Sequence, residues 1–149
     1  GDVNTFNSTE GVLYAEMASL SNTVVSNYIS ISDGTYNNRL TIFFTNGTNL
    51  IRAFFVANGA VQVNKQFLVS DITEFHKVAF KYKENDFALW VDGVEVATNF
   101  SGTTNIPNTL NELKFENASG SSNFFGKTKA LAVWKEALSD QELLELTTL

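Results

Sequence analysis

The chain has 149 residues, a net charge of −6 and 13 Phe against one Pro and no Cys. That length suits one domain, residues 1–149, able to bury roughly 70% of its unfolded surface without a disulfide. Ten scattered Lys/Arg in an acidic chain argue against nucleic acid or anionic lipid as the partner, and no run of about 18 apolar residues is present to insert in a membrane.

The elements follow in chain order. Val12–Leu20 is the first strand expected, and Asn27–Ser32 sets Tyr28 and Ser30 against Ile29 and Ile31. Asp33-Gly34 turns the chain. Arg39–Thr45 and Leu50–Val56 flank Asn46-Gly47-Thr48-Asn49, a hairpin loop by composition. Asn58-Gly59 then leads into Ala60–Leu68.

Phe75–Thr98 reads as three successive strands. Val78, Phe80 and Tyr82 alternate with Lys77, Ala79 and Lys81; Phe87, Leu89 and Val91 alternate with Ala88, Trp90 and Asp92. This period of two gives one greasy and one wetter face. Glu84-Asn85-Asp86 and Asp92-Gly93 supply the turns, the second suited to positive φ.

Ser101–Asn108 is a polar loop with the single proline, Pro107, and Glu112–Glu116 is a short strand. Ala118–Asn123 is a loop, and Lys127–Trp134 is the last strand. Ser139-Asp140-Gln141-Glu142 is a capping box. With Leu143, Leu144 and Leu146 behind it, a helix from Asp140 to Leu146 is expected. About ten short strands with Asn/Gly turns between them imply an all-β, antiparallel β-sandwich or barrel with a short C-terminal helix, and a sandwich of this length is commonly a jelly roll.

Two segments carry a resemblance. Phe75-His76-Lys77-Val78-Ala79 before Leu89-Trp90-Val91-Asp92-Gly93, and Phe124–Leu143 (FFGKTKALAVWKEALSDQEL), resemble laminin-G-like and pentraxin-like domains. The resemblance implies a concanavalin A-like jelly roll, of the sort found in bacterial secreted proteins and phage tail fibres. Relatives on this fold bind glycans, bind proteins or serve as spacers, so the fold alone does not name the function.

The chemistry of individual residues narrows the choice. The Glu-x-Asp-x-x-Glu string that such glucanases resemble one another in is absent; Glu84 and Asp86 read as solvated turn residues. His76, the only histidine, has no Cys and only generic Ser or Asp partners, and reads as packing at the sandwich edge. No His/Cys cluster offers a zinc site. Calcium is the candidate cofactor, since Asp2, Asn4, Asp33, Asn37 and Asn38 offer loop oxygens, but turn chemistry explains the same residues and no ligand set follows.

Sugars are held by an aromatic face with amides, carboxylates or guanidiniums around it. Trp90 lies opposite the core-facing residues of its strand, and Tyr36 stands in the loop Asp33–Asn38 beside Asn38 and Arg39. Arg52 is the lone polar residue in LIRAFF and can donate paired hydrogen bonds. Each has a plainer role: Trp90 under a loop or the C-terminal segment, Tyr36 as a loop anchor, Arg52 as an outward strand residue. Trp134, opposite Leu131 and Val133, is expected to cover the sheet near the helix.

The expectation is therefore a non-catalytic, lectin-like module, with Trp90, Tyr36, Asn38, Arg39 and Arg52 as carbohydrate-binding candidates. Its partner would be a poly- or oligosaccharide. The Gly1-Asp2 start without Met is read as a piece of a larger multidomain protein, extracellular or virion-associated. The alternatives are a structural or protein-interaction module such as a tail-fibre domain, and a glycoside hydrolase or lyase with dispersed carboxylates. Four N-x-S/T strings, at Asn7, Asn46, Asn99 and Asn117, match chance in a chain this rich in Asn, Ser and Thr, so no glycosylation is inferred.

Overall fold

The computed structural model describes residues 1–23, 27–45 and 49–149. Most of the expected loop Asn46–Asn49, and the string that begins at Asn46, lie outside the described residues. In chain order the elements are β1 (Glu10–Ser19), β2 (Asn27–Ser32), β3 (Arg39–Thr45), β4 (Leu50–Ala57), β5 (Ala60–Leu68), β6 (His76–Lys83), β7 (Phe87–Val91), β8 (Val94–Asn99), β9 (Glu112–Lys114), β10 (Gly126–Trp134) and α1 (Asp140–Thr147). They build a jelly-roll sandwich of two five-stranded antiparallel sheets. The first sheet has the order β10-β1-β6-β7-β8 and the second β5-β4-β3-β2-β9.

Turn chemistry explains the chain's appetite for Asn. Asn49, Asn58, Asn85 and Asn108 all have positive φ, a region that Asn tolerates better than most residues. Asp92 (φ 50°) and Gly93 (φ 81°) form the two-residue turn between β7 and β8. Gly11 answers to crowding instead: a Cβ there would stand 2.5 Å from the Trp134 carbonyl oxygen and from the Tyr82 hydroxyl.

Strand alternation sorts the side chains. Leu13, Ala15 and Met17 of β1, Val78, Phe80 and Tyr82 of β6, and Phe87, Leu89 and Val91 of β7 point between the sheets. They meet Ile29 and Ile31 of β2, Leu40, Ile42 and Phe44 of β3, and Ile51, Ala53 and Phe55 of β4. Phe55 lies 5.6 Å from Tyr82 and 5.4 Å from Phe87 between ring centroids. The buried Tyr82 hydroxyl donates to the Asn7 carbonyl at 2.6 Å, as an enclosed polar group must.

The outer face of the first sheet is also covered. Val12, Tyr14, Ala79, Ala88 and Trp90 form a second apolar layer with Leu138 and Leu143, joined by Trp134 and Leu146. The capping box that starts α1 is made in full: Ser139 Oγ accepts from Glu142 N, and the Glu142 carboxylate accepts from Ser139 N. Trp134 thus covers the sheet near the helix, meeting Tyr14 edge-on at 6.3 Å.

Two sequence expectations need correction here. Trp90 leaves the main core as its alternation requires, but it is only 7% exposed, packed in the layer with the 138–143 segment and α1. Its indole has no open face for a sugar, and its Nε1 has no hydrogen-bond partner among the described residues. The wetter face of β6 is also drier than expected: Lys81 is buried and its Nζ meets Asp86 Oδ1 at 2.7 Å. Asp86 is therefore an ion-pair partner as well as a turn residue.

Candidate functional site

Apart from a groove beside α1, the outer face of the first sheet is covered, and the outer face of the second sheet is the place to look. Its side chains follow from register. Tyr28 pairs across with Phe43, Phe43 with Arg52, and Arg52 with Gln66. The next outward row is Ser30, Thr41, Phe54 and Asn64, and the one after it includes Ser32, Arg39 and Val56; Ser30, Ser32, Thr41 and Val56 are buried, which leaves Phe54, Asn64 and Arg39 as the accessible members. Aromatic rings and polar groups alternate over three strands.

The rings are held in place. Tyr28 and Phe43 stack with centroids 4.2 Å apart and planes 15° from parallel. The Arg52 guanidinium lies 5.4 Å from the Phe43 centroid, and Arg52 Nη2 donates to Asn64 Oδ1 at 2.6 Å. Arg39 lies 4.8 Å from the Tyr36 ring and 5.2 Å from the Phe54 ring, and its Nη1 donates to the Tyr36 carbonyl at 2.8 Å. Such contacts orient a cation without neutralising it. The Nε of both arginines and Thr41 Oγ1 are enclosed without a partner among the described residues. Burial pulls Arg39 below its ordinary value, while Tyr28 and Tyr36 act the other way.

Tyr36 is presented by a tightly bonded loop. Asp33 Oδ1 accepts from Thr35 N and Oγ1, and Asp33 Oδ2 accepts from Asn38 Nδ2 at 2.7 Å. Asn38 Oδ1 accepts from Asn58 N at 2.9 Å. Asn38 therefore braces the loop with both ends of its amide. The Tyr36 hydroxyl is 2.6 Å from Ser121 Oγ, and 44% of the residue is exposed. Hydrogen bonds with Ser119 and Ser121 hold the phenol below its ordinary value.

Four of the five sequence candidates, Tyr36, Asn38, Arg39 and Arg52, come together on this face; Trp90 belongs to the other sheet. Sequence reasoning missed Tyr28, Phe43 and Phe54. The signal was available: Ile42 and Phe44 are inward, so Phe43 is outward, and Phe54 shares Arg52's phase.

Other groups are already committed. His76 Nδ1 meets Asp92 Oδ2 at 2.6 Å and Nε2 meets the Asp71 carbonyl at 2.9 Å, while Asp92 Oδ1 accepts from Lys77 N. Both ring nitrogens are occupied in a clip at the sandwich edge, which leaves none to act as a base. Glu112 and Glu116 both reach Lys114 Nζ, at 3.0 and 3.4 Å, and the bond to Glu112 foremost raises Lys114 above its ordinary value. That is an ion-pair triad, not a split acid–base couple. Asp2 and Asp33 spend their oxygens on their own turns. Among the described residues no three metal-ligating side chains gather, and no helix is long and apolar enough to cross a membrane. A groove of about 390 Å³ beside α1 is lined by Lys81, Asp86, Glu95, Phe100 and Asp140, among others, but its Lys81 is already paired.

Comparison with known proteins agrees on the architecture. A family model described as the concanavalin A-like lectin/glucanases superfamily matches residues 13–144. A search of curated protein sequences found no match. Among solved structures, the Ruminococcus gnavus IT-sialidase CBM40 bound to α2,3 sialyllactose superposes with a TM-score of 0.75 at 15% identity, over 95% of this chain and 84% of that one. Domain 4 of AbnA, an extracellular GH43 arabinanase from Geobacillus stearothermophilus in complex with arabinotriose, gives 0.72 at 10% identity, covering 99% and 70%. The SAP-like pentraxin of Limulus polyphemus gives 0.60 at 13%, covering 91% and 68%. At these identities the likeness is one of fold.

Proposed function

We infer that this chain, which belongs to the concanavalin A-like lectin/glucanases superfamily, is a non-catalytic carbohydrate-binding module that holds an oligo- or polysaccharide on the outer face of its second sheet. The observation that carries this reading is the cluster of Tyr28, Arg52 and Phe54 around the buried Phe43 ring, with Tyr36 and Arg39 at one end: rings fixed by stacking, and guanidiniums that each commit one terminal nitrogen and keep the other. A pyranose or furanose ring has apolar C–H faces and a rim of hydroxyls. Half-buried Phe54 and Tyr28 and exposed Tyr36 suit the faces; Arg39, Arg52, Asn64 and Gln66 suit the rim. The sialyllactose and arabinotriose complexes of similar fold support the reading. The module would belong to a larger extracellular or virion-associated protein.

A glycan array followed by titration calorimetry tests this. Wild type is expected to bind at least one saccharide class. Phe54→Ala and Arg52→Ala should each weaken binding about tenfold, and Trp90→Phe should leave it unchanged. A folded wild type that binds no saccharide, or equal binding by Phe54→Ala and Arg52→Ala, would refute the assignment.

One observation favours a second reading, a structural or protein-interaction module such as a tail-fibre domain. Strand β5 lies at the end of its sheet with Val61 57% and Leu68 65% exposed, and an apolar sheet edge is a surface for pairing. Concentration-dependent association in light scattering, lost in Leu68→Lys, would favour it.

A further inference from the structure

Resting on the carbohydrate reading and narrowing it, we propose that Arg39 and Arg52 select saccharides that carry acidic groups, carboxylate or sulfate, over neutral ones. These are the only arginines in the chain. A protein with a net charge of −6 has placed both on one face of two adjacent strands. Every ion pair among the described residues uses Lys or His, and neither arginine has a carboxylate partner. None of the six undescribed residues is acidic. The carboxylates at the β9 edge, Glu112 and Glu116, are held by Lys114.

The two charges are thus left without a counter-ion while being partly withdrawn from water. Each guanidinium lies against aromatic rings, each Nε is enclosed and unpaired, and each spends one terminal nitrogen on a neutral acceptor. A desolvated cation without an anion is costly. A carboxylate or sulfate offsets that cost and accepts two hydrogen bonds in the guanidinium's own plane; a sugar hydroxyl does neither. Salt screening attenuates acidic groups beyond about 8 Å, and Glu116, near enough to act on Tyr36, is paired with Lys114.

Register also sets a spacing. Arg52 sits opposite Phe43, four residues along β3 from Arg39, so the two α-carbons are separated by about 13 Å along the strand. Thr41 and Phe54 lie between them. An extended saccharide with acidic groups at intervals reaches both heads; one with a single acid engages one.

The test is calorimetry on four ligands sharing one backbone: a neutral oligosaccharide, its uronic-acid counterpart, the methyl ester of that uronic acid, and a sulfated counterpart. Wild type should bind the uronate or the sulfate about tenfold or more tightly than the neutral sugar, the ester should match the neutral sugar, and high salt should weaken only the acidic ligands. Arg39→Gln and Arg52→Gln should each lose much of the preference and the double variant all of it, while each remains folded by circular dichroism. The acid–ester comparison needs only wild type, so it stands even if a variant misfolds. Equal affinity for neutral and acidic ligands, or acidic binding indifferent to both substitutions, overturns the proposal and leaves the carbohydrate reading in place. Binding of none of the ligands, nor of any saccharide on the array, ends both.

Discussion

Phe43-Phe44 and Phe54-Phe55 show how two like residues come to do different work. Phe44 and Phe55 face the core, while Phe43 and Phe54 face outward beside the arginines. A doubled aromatic hides the alternation, because both residues look like core. The outward phase of these rings is therefore harder to read from sequence than that of the conspicuous Arg39 and Arg52. Trp90 is the reverse case: its outward phase was legible, but what covers it was not. Its enclosed ring and unpaired Nε1 predict a stability phenotype. Trp90→Ala should cost about 3–5 kcal/mol. Trp90→Phe, which removes an unsatisfied donor along with some volume, should cost less than about 2 kcal/mol. Urea unfolding distinguishes these values, and neither protein, while folded, should differ from wild type in glycan binding.

Helix α1 is the element that decides which sheet is free. Eight residues are too few for a helix to stand alone, so it is held by its capping box and by Leu143 on the first sheet. Ser139→Ala should cost about 1 kcal/mol, and Leu143→Ala about 2–5 kcal/mol. Tryptophan emission should shift to longer wavelength in Leu143→Ala, as Trp90 and Trp134 gain water; an unshifted spectrum would mean that α1 does not shield them. At the sequence level the helix was plain, from its cap and its leucine spacing. Its docking site was not, because several sheet faces could have received it.

At the scale of the molecule, acid should unfold the protein through its turns. Hydrogen bonds from Asn4 to Asp2, from Thr73 to Asp71 and from Ser139 to Glu142 hold those carboxyls below their ordinary values of 3.8, 3.8 and 4.5. For Asp33 burial opposes ionisation, but the bonds from Thr35 and Asn38 prevail and lower it below 3.8 as well. A carboxyl depressed in the folded state contributes stability above its ordinary value and loses it as pH falls through the depressed one. The melting temperature should therefore fall as the pH drops below about 4. In Asp33→Ala the fall should be shallower, with the gap from wild type present at neutral pH and closing in acid. A gap that widens in acid would contradict this account.

The sequence by itself determined the sandwich, the turns and the helix. These are local: an alternation of period two, an Asn that accepts positive φ, and a cap three residues before its partner are all written within a few positions. It also singled out the two arginines. Only the tertiary structure decided that Trp90 is covered, that Tyr28 stacks on Phe43, and that Arg39, Arg52 and Tyr36 share one open face. Those facts depend on strand register and on where α1 lands, and residues distant in the chain set both through packing.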